Sequence, residues 1–311
     1  MIGRPLNCDR SSVDLQSWRA SIIGRLGIPI AATILLCVGC AAQPPVRAPL
    51  IAPIQSTVRA DGPATPVEAL TLGTYNVHGL IKRDAIRTDL AAIDQVNVWC
   101  LQEFPHGDGQ RIDDLLPAGR WYVATIPLNR EDPKDQAIES QVIASRFPID
   151  RVEIWPLDEG GAKRRVALTA VVNANGRSVR IVNTDHEPSI LAWRDGNSMQ
   201  ARRLIEHLRA CDEEAVLVTG DFNCSGNVYR LISNSGHVRR VDTAMAAAGF
   251  TAVGADGTTF RSGVLRSRLD RIYARNAAPT TEGEIARSSK GSDHLPVWRS
   301  FTTPPAAVAA R

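Results

Sequence analysis

The chain has 311 residues, 44% hydrophobic and 22% charged, with 23 Gly and 19 Pro. This excludes collagen-like, coiled-coil and wholly disordered architectures, and suits one large domain or two small ones. The formal net charge is +3, and residues 1–39 hold +2 of it through Arg4, Arg10, Arg19 and Arg25 against Asp9 and Asp14. The near-neutral remainder excludes nucleic-acid binding by bulk charge, so an anionic partner must be met by a local patch.

Taken in chain order, the first feature is the apolar run Leu26–Val38, preceded by Arg19 and Arg25. Thirteen residues rise only ~20 Å as a helix, too short for a hydrocarbon core of ~30 Å. A basic start, a short apolar run and small residues after it describe a secretory signal over 1–39. The ending Gly39-Cys40-Ala41-Ala42 resembles the lipobox of bacterial lipoproteins, with Cys37 where that motif usually carries Leu. The resemblance implies lipidation of Cys40 and an exported, membrane-anchored envelope protein facing the periplasm or the cell surface. Cys8 and Cys37 would leave with the signal. Cys211 and Cys224 flank the strand-like AVLVTG and would sit at its opposite ends, so free thiols are expected there and at Cys100.

Residues 41–69 are Pro- and Ala-rich and read as an extended tether. Residues 70–301 read as one domain and 302–311 as an unstructured tail. Strand-like runs are expected at 70–77, 96–103, 121–126, 141–145, 166–172, 178–184, 215–221, 269–274 and 296–301. Helical spacing of Ile86, Leu90 and Ile93 marks 83–94, and that of Leu204, Ile205 and Leu208 marks 198–211. Short strands with a few interspersed helices point to a mixed α/β sandwich.

The polar residues with chemistry stand where strands stop. Asn76 and Glu103 end strands joined by a helix, a crossover that makes the strands parallel and brings both ends to one edge. Gly220-Asp221-Phe222-Asn223 ends another apolar strand, Asp270 begins one, and Ser292-Asp293-His294 precedes the last. Glu103, Asp221 and Asp293, with Asn76 and Asn223, are hard oxygen donors suited to Mg²⁺ or Mn²⁺ rather than zinc. His294 adds acid–base capacity at neutral pH. Together they read as metal-assisted phosphate-ester hydrolysis. Taken singly, GDFN could be a turn, Asp270 a partner of Arg268 or Arg271, and His294 a packed histidine. One phosphoesterase site accounts for all of them and for their order. His78 is left open between a cleft and a structural role.

TYNVHG, CLQEF, QVIASRFPI, GDFN, RLDRIYA and SDHLPVW together resemble the endonuclease/exonuclease/phosphatase superfamily over about 70–301. The resemblance implies the deoxyribonuclease-I-like fold, a four-layer sandwich of two packed mixed β-sheets flanked by helices. It implies that Glu103 binds the metal, supported by Asn76 and with Asp293 close by. It implies that Asp221 positions or activates the attacking water, that Asn223 steadies the phosphoryl group, and that Asp270 orients the catalytic His294. Where the family often has Thr-His, this chain reads Thr184-Asp185-His186; strict alignment puts Asp185 in the His position, and a one-residue shift, which we favour, puts His186 there as a phosphate-contacting or leaving-group-protonating residue.

Arg164 and Arg165, and Arg268 in the arginine-rich stretch 258–275, are candidate phosphate contacts, with solvated surface arginines the plainer alternative. Nothing reads base edges, so nuclease activity would be sequence-tolerant. The expected partner is a phosphate ester, nucleic acid or a phospholipid head group, and the expected state a monomer. A phosphodiesterase or nuclease is preferred over a sphingomyelin or phospholipid head-group hydrolase, a phosphomonoesterase, and a non-catalytic envelope protein.

Overall fold

The computed structural model describes residues 54–58, 69–106, 112–128, 138–158, 165–188, 196–224, 235–263 and 265–302. The signal segment, Cys40, Arg164 and most of the tether and tail lie outside them. The strands are β1 (Ile54–Val58), β2 (Leu70–Asn76), β3 (Val98–His106), β4 (Trp121–Pro127), β5 (Ile138–Ser145), β6 (Ile149–Pro156), β7 (Val166–Ala174), β8 (Arg177–Asp185), β9 (Ala215–Asp221), β10 (Thr251–Ala252), β11 (Phe260–Ser262), β12 (Leu265–Ser267), β13 (Asp270–Arg275), β14 (Glu284–Ile285) and β15 (Val297–Phe301). The helices are α1 (Arg83–Ala91), α2 (Gly196–Arg209) and α3 (Ser235–Ala247).

Two mixed sheets result, ordered β1-β4-β5-β3-β2-β15-β14 and β10-β13-β9-β8-β7-β6, with β11 and β12 forming a separate ribbon. The parallel pairs are β2–β3 and β8–β9, each joined through a helix as the crossover argument requires. Period-2 alternation assigns the faces. Leu70 and Leu72 of the first sheet meet Leu217 and Ile272 of the second in a shared core. Tyr75, Trp99 and Leu101 face outward and are covered by Ile86 and Leu90 of α1. Val216, Val218 and Tyr273 face outward from the second sheet and pack with Leu204 and Leu208 of α2 and Met245 of α3. Helix, sheet, sheet and helices make four layers, the deoxyribonuclease-I-like arrangement.

Toward the ends of β2, β3 and β8 the space between the sheets turns polar. Gln102 Nε2 donates to Asn183 Oδ1 at 2.7 Å, and Asn183 Nδ2 donates to the Leu101 and Val142 carbonyls at 2.9 Å each. These buried amides fix one sheet against the other beside the edge where Asn76 and Asp221 emerge.

The structure departs from the sequence reading inside the tether. Residues 54–58 form β1, antiparallel to β4 with Ile54 opposite Thr125 and Val58 opposite Trp121. Gln55 Nε2 donates to the Ile149 carbonyl of the other sheet at 2.8 Å. Backbone pairing to β4 holds this segment, and Ile54 is 46% exposed. Also unforeseen are β6, α3 and the short strands β10, β11, β12 and β14. Cys100, Cys211 and Cys224 are free thiols. Among the described residues no helix is long and apolar enough to cross a membrane.

Candidate active site

The alternation that buries Leu72, Leu217 and Ile272 places Asn76, Asp221 and Asp270 on the same inner faces at the strand ends. All three are buried. Asp270 and Asp221 are directly paired across β13 and β9. Asn76 joins the sheets: its Nδ2 donates to Glu103 Oε1 at 3.0 Å and to Asp221 Oδ2 at 3.2 Å.

Glu103 reaches this position through a β-bulge. Leu101 pairs with Val142 and Phe104 with Ser140, so Gln102 and Glu103 together oppose one residue of β5. Glu103 takes a left-handed φ of 52°, and the bulge re-aims a side chain that plain alternation would point away. His78, Leu80 and Asn223 are also left-handed, a clustering of strained backbone typical of functional sites. Gly220 of GDFN has φ 137°, and a Cβ there would stand 1.9 Å from the Thr184 carbonyl oxygen, so only glycine fits.

His294 follows Asp293 in the 289–294 loop, held by a hub on α1. Asp89 Oδ2 accepts from Tyr75 Oη at 2.9 Å, from Ser289 Oγ at 2.9 Å and from Gly291 N at 3.1 Å. Ser292 Oγ donates to the Asn76 carbonyl at 2.8 Å and accepts from His294 N at 3.1 Å. Gly291 lies so close to α1 that a Cβ would come within 2.4 Å of Ile86 Cδ1. Thr259 ties the dyad together: its Oγ1 accepts from Leu269 N at 2.9 Å and Asp270 N at 3.0 Å, while its carbonyl accepts from Leu295 N at 2.6 Å.

His294 Nδ1 lies 2.9 Å from Asp270 Oδ2 and Nε2 lies 3.7 Å from Asp221 Oδ2. Phe260 packs its ring edge-on to the imidazole at 5.0 Å. Burial pulls the His294 pKa down, but Asp270 and then Asp221 outweigh it and hold the imidazolium up to about 10. Burial pushes Asp221 up to about 7; His294 opposes this, and Asp270 and Asp185 add to it. The trio is therefore built to hold and move a proton.

Two groups of side chains could hold a cation. Oxygen and nitrogen atoms of Asp221, Asp270 and His294 lie within 4.8 Å of one another. Those residues are buried and already bonded in part to each other. Glu103 and Asp293 are more open, at 27% and 29% side-chain exposure, and both lie near His78 Nδ1, at 3.9 Å from Glu103 Oε2 and 3.6 Å from Asp293 Oδ1. Partly hydrated hard carboxylates suit a divalent cation that keeps several waters.

The remaining expected residues fall differently. Asn223 N donates to Asp221 Oδ1 at 2.8 Å, and its Nδ2 donates to the His186 carbonyl at 2.8 Å. His186 is a correction. Its ring is fully buried and packs on Phe222 at 4.8 Å on the helix-covered face of the second sheet, where burial holds its pKa down to about 4. Alternation puts Asp185 inward instead, level with Asp221. Asp185 Oδ2 pairs with Arg165 Nη1 at 3.1 Å. Arg268 forms an ion pair with exposed Asp256 at the surface. Sequence reading missed Asp89 and Thr259, whose only signal was adjacency in space, while Arg165, expected with Arg164 to meet phosphate, is held by Asp185.

The model of the Endonuclease/Exonuclease/phosphatase family matches residues 73–294, which spans every site residue named above. Among curated proteins no sequence matches the chain significantly. Among solved structures it is similar to an endonuclease/exonuclease/phosphatase family protein from Leptotrichia buccalis, with 15% identity, 75% of this chain and 99% of that one covered, and a TM-score of 0.60. A 3′ phosphatase from Neisseria bound to a product DNA hairpin has 19% identity, the same coverages and a TM-score of 0.58. An AP endonuclease from Archaeoglobus fulgidus has 16% identity, covers 75% and 99%, and has a TM-score of 0.56. Family members are hydrolases acting on phosphoester bonds, and a divalent cation belongs to their chemistry. The chain belongs to the endonuclease/exonuclease/phosphatase family.

Proposed function

We propose that the protein is a divalent-metal-dependent phosphodiesterase acting on nucleic acid outside the cytoplasm, anchored by lipidation of Cys40. The observation that carries the reaction is the Asp270–His294 hydrogen bond of 2.9 Å with Asp221 on the far side of the imidazole. Asp221, raised by burial, accepts the proton of the attacking water as it adds in line to phosphorus and the opposite P–O bond breaks, the leaving alcohol oxygen taking its proton from solvent. The His294 imidazolium, held by Asp270, meets the charge that gathers on the phosphoryl oxygens. Glu103 and Asp293 would hold the cation, with Mg²⁺ or Mn²⁺ fitting their oxygens, and when bound it neutralises phosphoryl charge as a Lewis acid. Asn76 steadies Glu103 and Asp221 at once. For Asn223 to reach the phosphoryl group, its amide must exchange the His186 carbonyl for substrate.

The preference for nucleic acid draws support from the Neisseria neighbour solved with DNA. Export draws on the basic, apolar and small-residue order of residues 19–42. The test uses the full-length protein reconstituted into vesicles of phosphatidylcholine and sphingomyelin, with plasmid DNA added outside and with chelator and His294→Ala controls. Metal-dependent nicking with intact vesicles is expected. Lipid cleavage with intact plasmid would move the substrate to the head group, and no turnover of either would overturn the phosphodiesterase reading. Fatty-acid labelling that is absent, or that survives Cys40→Ser, would overturn the anchor.

A further inference from the structure

His294 meets Asp270 through one hydrogen bond, Nδ1 to Oδ2 at 2.9 Å, while its Nε2 stands 3.7 Å from Asp221 Oδ2, beyond hydrogen-bond reach. One bond fixes where an imidazole sits but not its plane, because the ring can still swing about the bond axis. The outer torsion of a histidine is broad, so its own rotamer preference does not supply the missing restraint. A second contact must hold the plane.

Phe260 makes that contact. It faces His294 across an isolated antiparallel bridge. Arg261 N donates to the Asp293 carbonyl at 2.7 Å and Leu295 N donates to the Thr259 carbonyl at 2.6 Å. These bonds flank the pair, so Phe260 and His294 are a non-hydrogen-bonded pair, the kind whose side chains approach most closely. The ring centroids lie 5.0 Å apart with the planes at 63°, an edge-to-face arrangement. Among the described residues Phe260 belongs to none of the three apolar clusters, and its ring is only partly buried. Core filling therefore does not account for a phenylalanine here. Its neighbour Thr259 holds the other half of the dyad, accepting from Asp270 N at 3.0 Å. The dipeptide thus sets the backbone of Asp270 and the ring of His294 together.

Resting on the phosphoesterase reading of this site, we infer that Phe260 is a positioning residue of the reaction, holding the imidazole plane so that Nδ1 stays on Asp270 and Nε2 faces Asp221 and the phosphoryl group. It acts through His294 and not on the substrate. An aliphatic side chain would fill the space but lacks the ring quadrupole that attracts an imidazolium.

The test uses the full-length protein with Mn²⁺ and bis(p-nitrophenyl) phosphate as the diester, together with proton NMR of the low-field Nδ1–H signal from the Asp270–His294 bond. Phe260→Leu and Phe260→Met, which keep apolar bulk without the ring, lower kcat ~10–100-fold with KM changed less than ~3-fold. Phe260→Tyr, which keeps the ring, stays within ~3-fold of the wild-type kcat. In the His294→Gln background Phe260→Leu costs less than ~2-fold more, since a residue working through the imidazole then has nothing to place. The Nδ1–H signal stands in the wild type and in Phe260→Tyr and weakens through faster exchange in Phe260→Leu. A rise in KM with kcat kept, an equal loss in the His294→Gln background, or an Nδ1–H signal unchanged in Phe260→Leu overturns the inference. Absence of turnover by the wild type overturns the phosphoesterase reading instead, and the Nδ1–H signal still decides whether Phe260 holds the ring.

Discussion

Asp185 and His186 are neighbours in the chain and face opposite sides of the second sheet, Asp185 inward level with Asp221 and His186 outward onto Phe222. His186 is therefore a packing residue whose loss reads out in stability. His186→Ala should cost on the order of 3 kcal/mol in denaturant unfolding, as for other large buried rings. His186→Phe should keep turnover within a few-fold, whereas Asp185→Ala, which frees Arg165 at the cleft, should change it more. Steady-state kinetics on the three variants checks this, and a large loss confined to His186→Phe would reverse the assignment.

The same residue makes stability depend on pH. Burial holds His186 at about 4 in the folded chain against 6.5 for the free group. The unfolded chain binds the proton more tightly, so stability rises with pH through this window. The contribution is whole above about 6.5 and is lost as pH falls toward 4. Urea midpoints across that range should fall for the wild type and fall less for His186→Phe. Equal slopes would remove His186 from the acid response.

Asp270→Asn keeps the size of the side chain and removes the charge that orients His294. Turnover should fall about 10³–10⁴-fold, as in other dyads that lose their carboxylate, with little change in KM. A loss under tenfold would show that His294 needs no such partner.

Asp89 never touches the cleft, yet it gathers Tyr75, Ser289 and Gly291. Asp89→Ala should loosen the loop that carries Asp293 and His294. Amide exchange at Gly291 and Ser292 should quicken while the sheet cores stay protected, and kcat should drop by roughly tenfold or more through misplacement of His294. Unchanged exchange at those amides would leave the loop without need of its anchor.

A chain beginning at Leu70 lacks β1 and leaves the edge of β4 unpaired. Unpaired edges template association, so the apparent molar mass from light scattering should rise with concentration for that chain and not for one beginning at Pro45, which keeps β1.

Much of the fold could be read from alternation and helical spacing, because β2 and β9 are buried along their whole length and α2 carries a clear apolar stripe. β1 could not, since it is held by backbone pairing to β4 and its first residue, Ile54, is exposed. α3 is rich in small residues, and its pattern is weak. In the candidate site, Asn76, Asp221 and Asp270 were legible because strand ends mark them, and Glu103 and His294 through the CLQEF and SDHLPVW motifs, since Glu103 sits at a bulge inside β3 and His294 in a loop. The choice between Asp185 and His186 was not, because a one-residue slip exchanges faces; it is decided by Asn183, which bonds to the first sheet and so fixes Asp185 on the same side. Asp89 was invisible because its bond to Ser289 spans 200 residues.

The Asp270–His294 hydrogen bond has a consequence during synthesis. His294 follows every other residue assigned to the reaction, and Asn76 precedes all of them. A nascent chain that has emerged as far as β13 contains Glu103, Asp221 and Asp270 but no imidazole to complete them. On the proposed reaction, competence therefore arrives in one step, with His294 just before the last strand, and a ribosome-bound fragment that stops short of it should not turn over a phosphate ester.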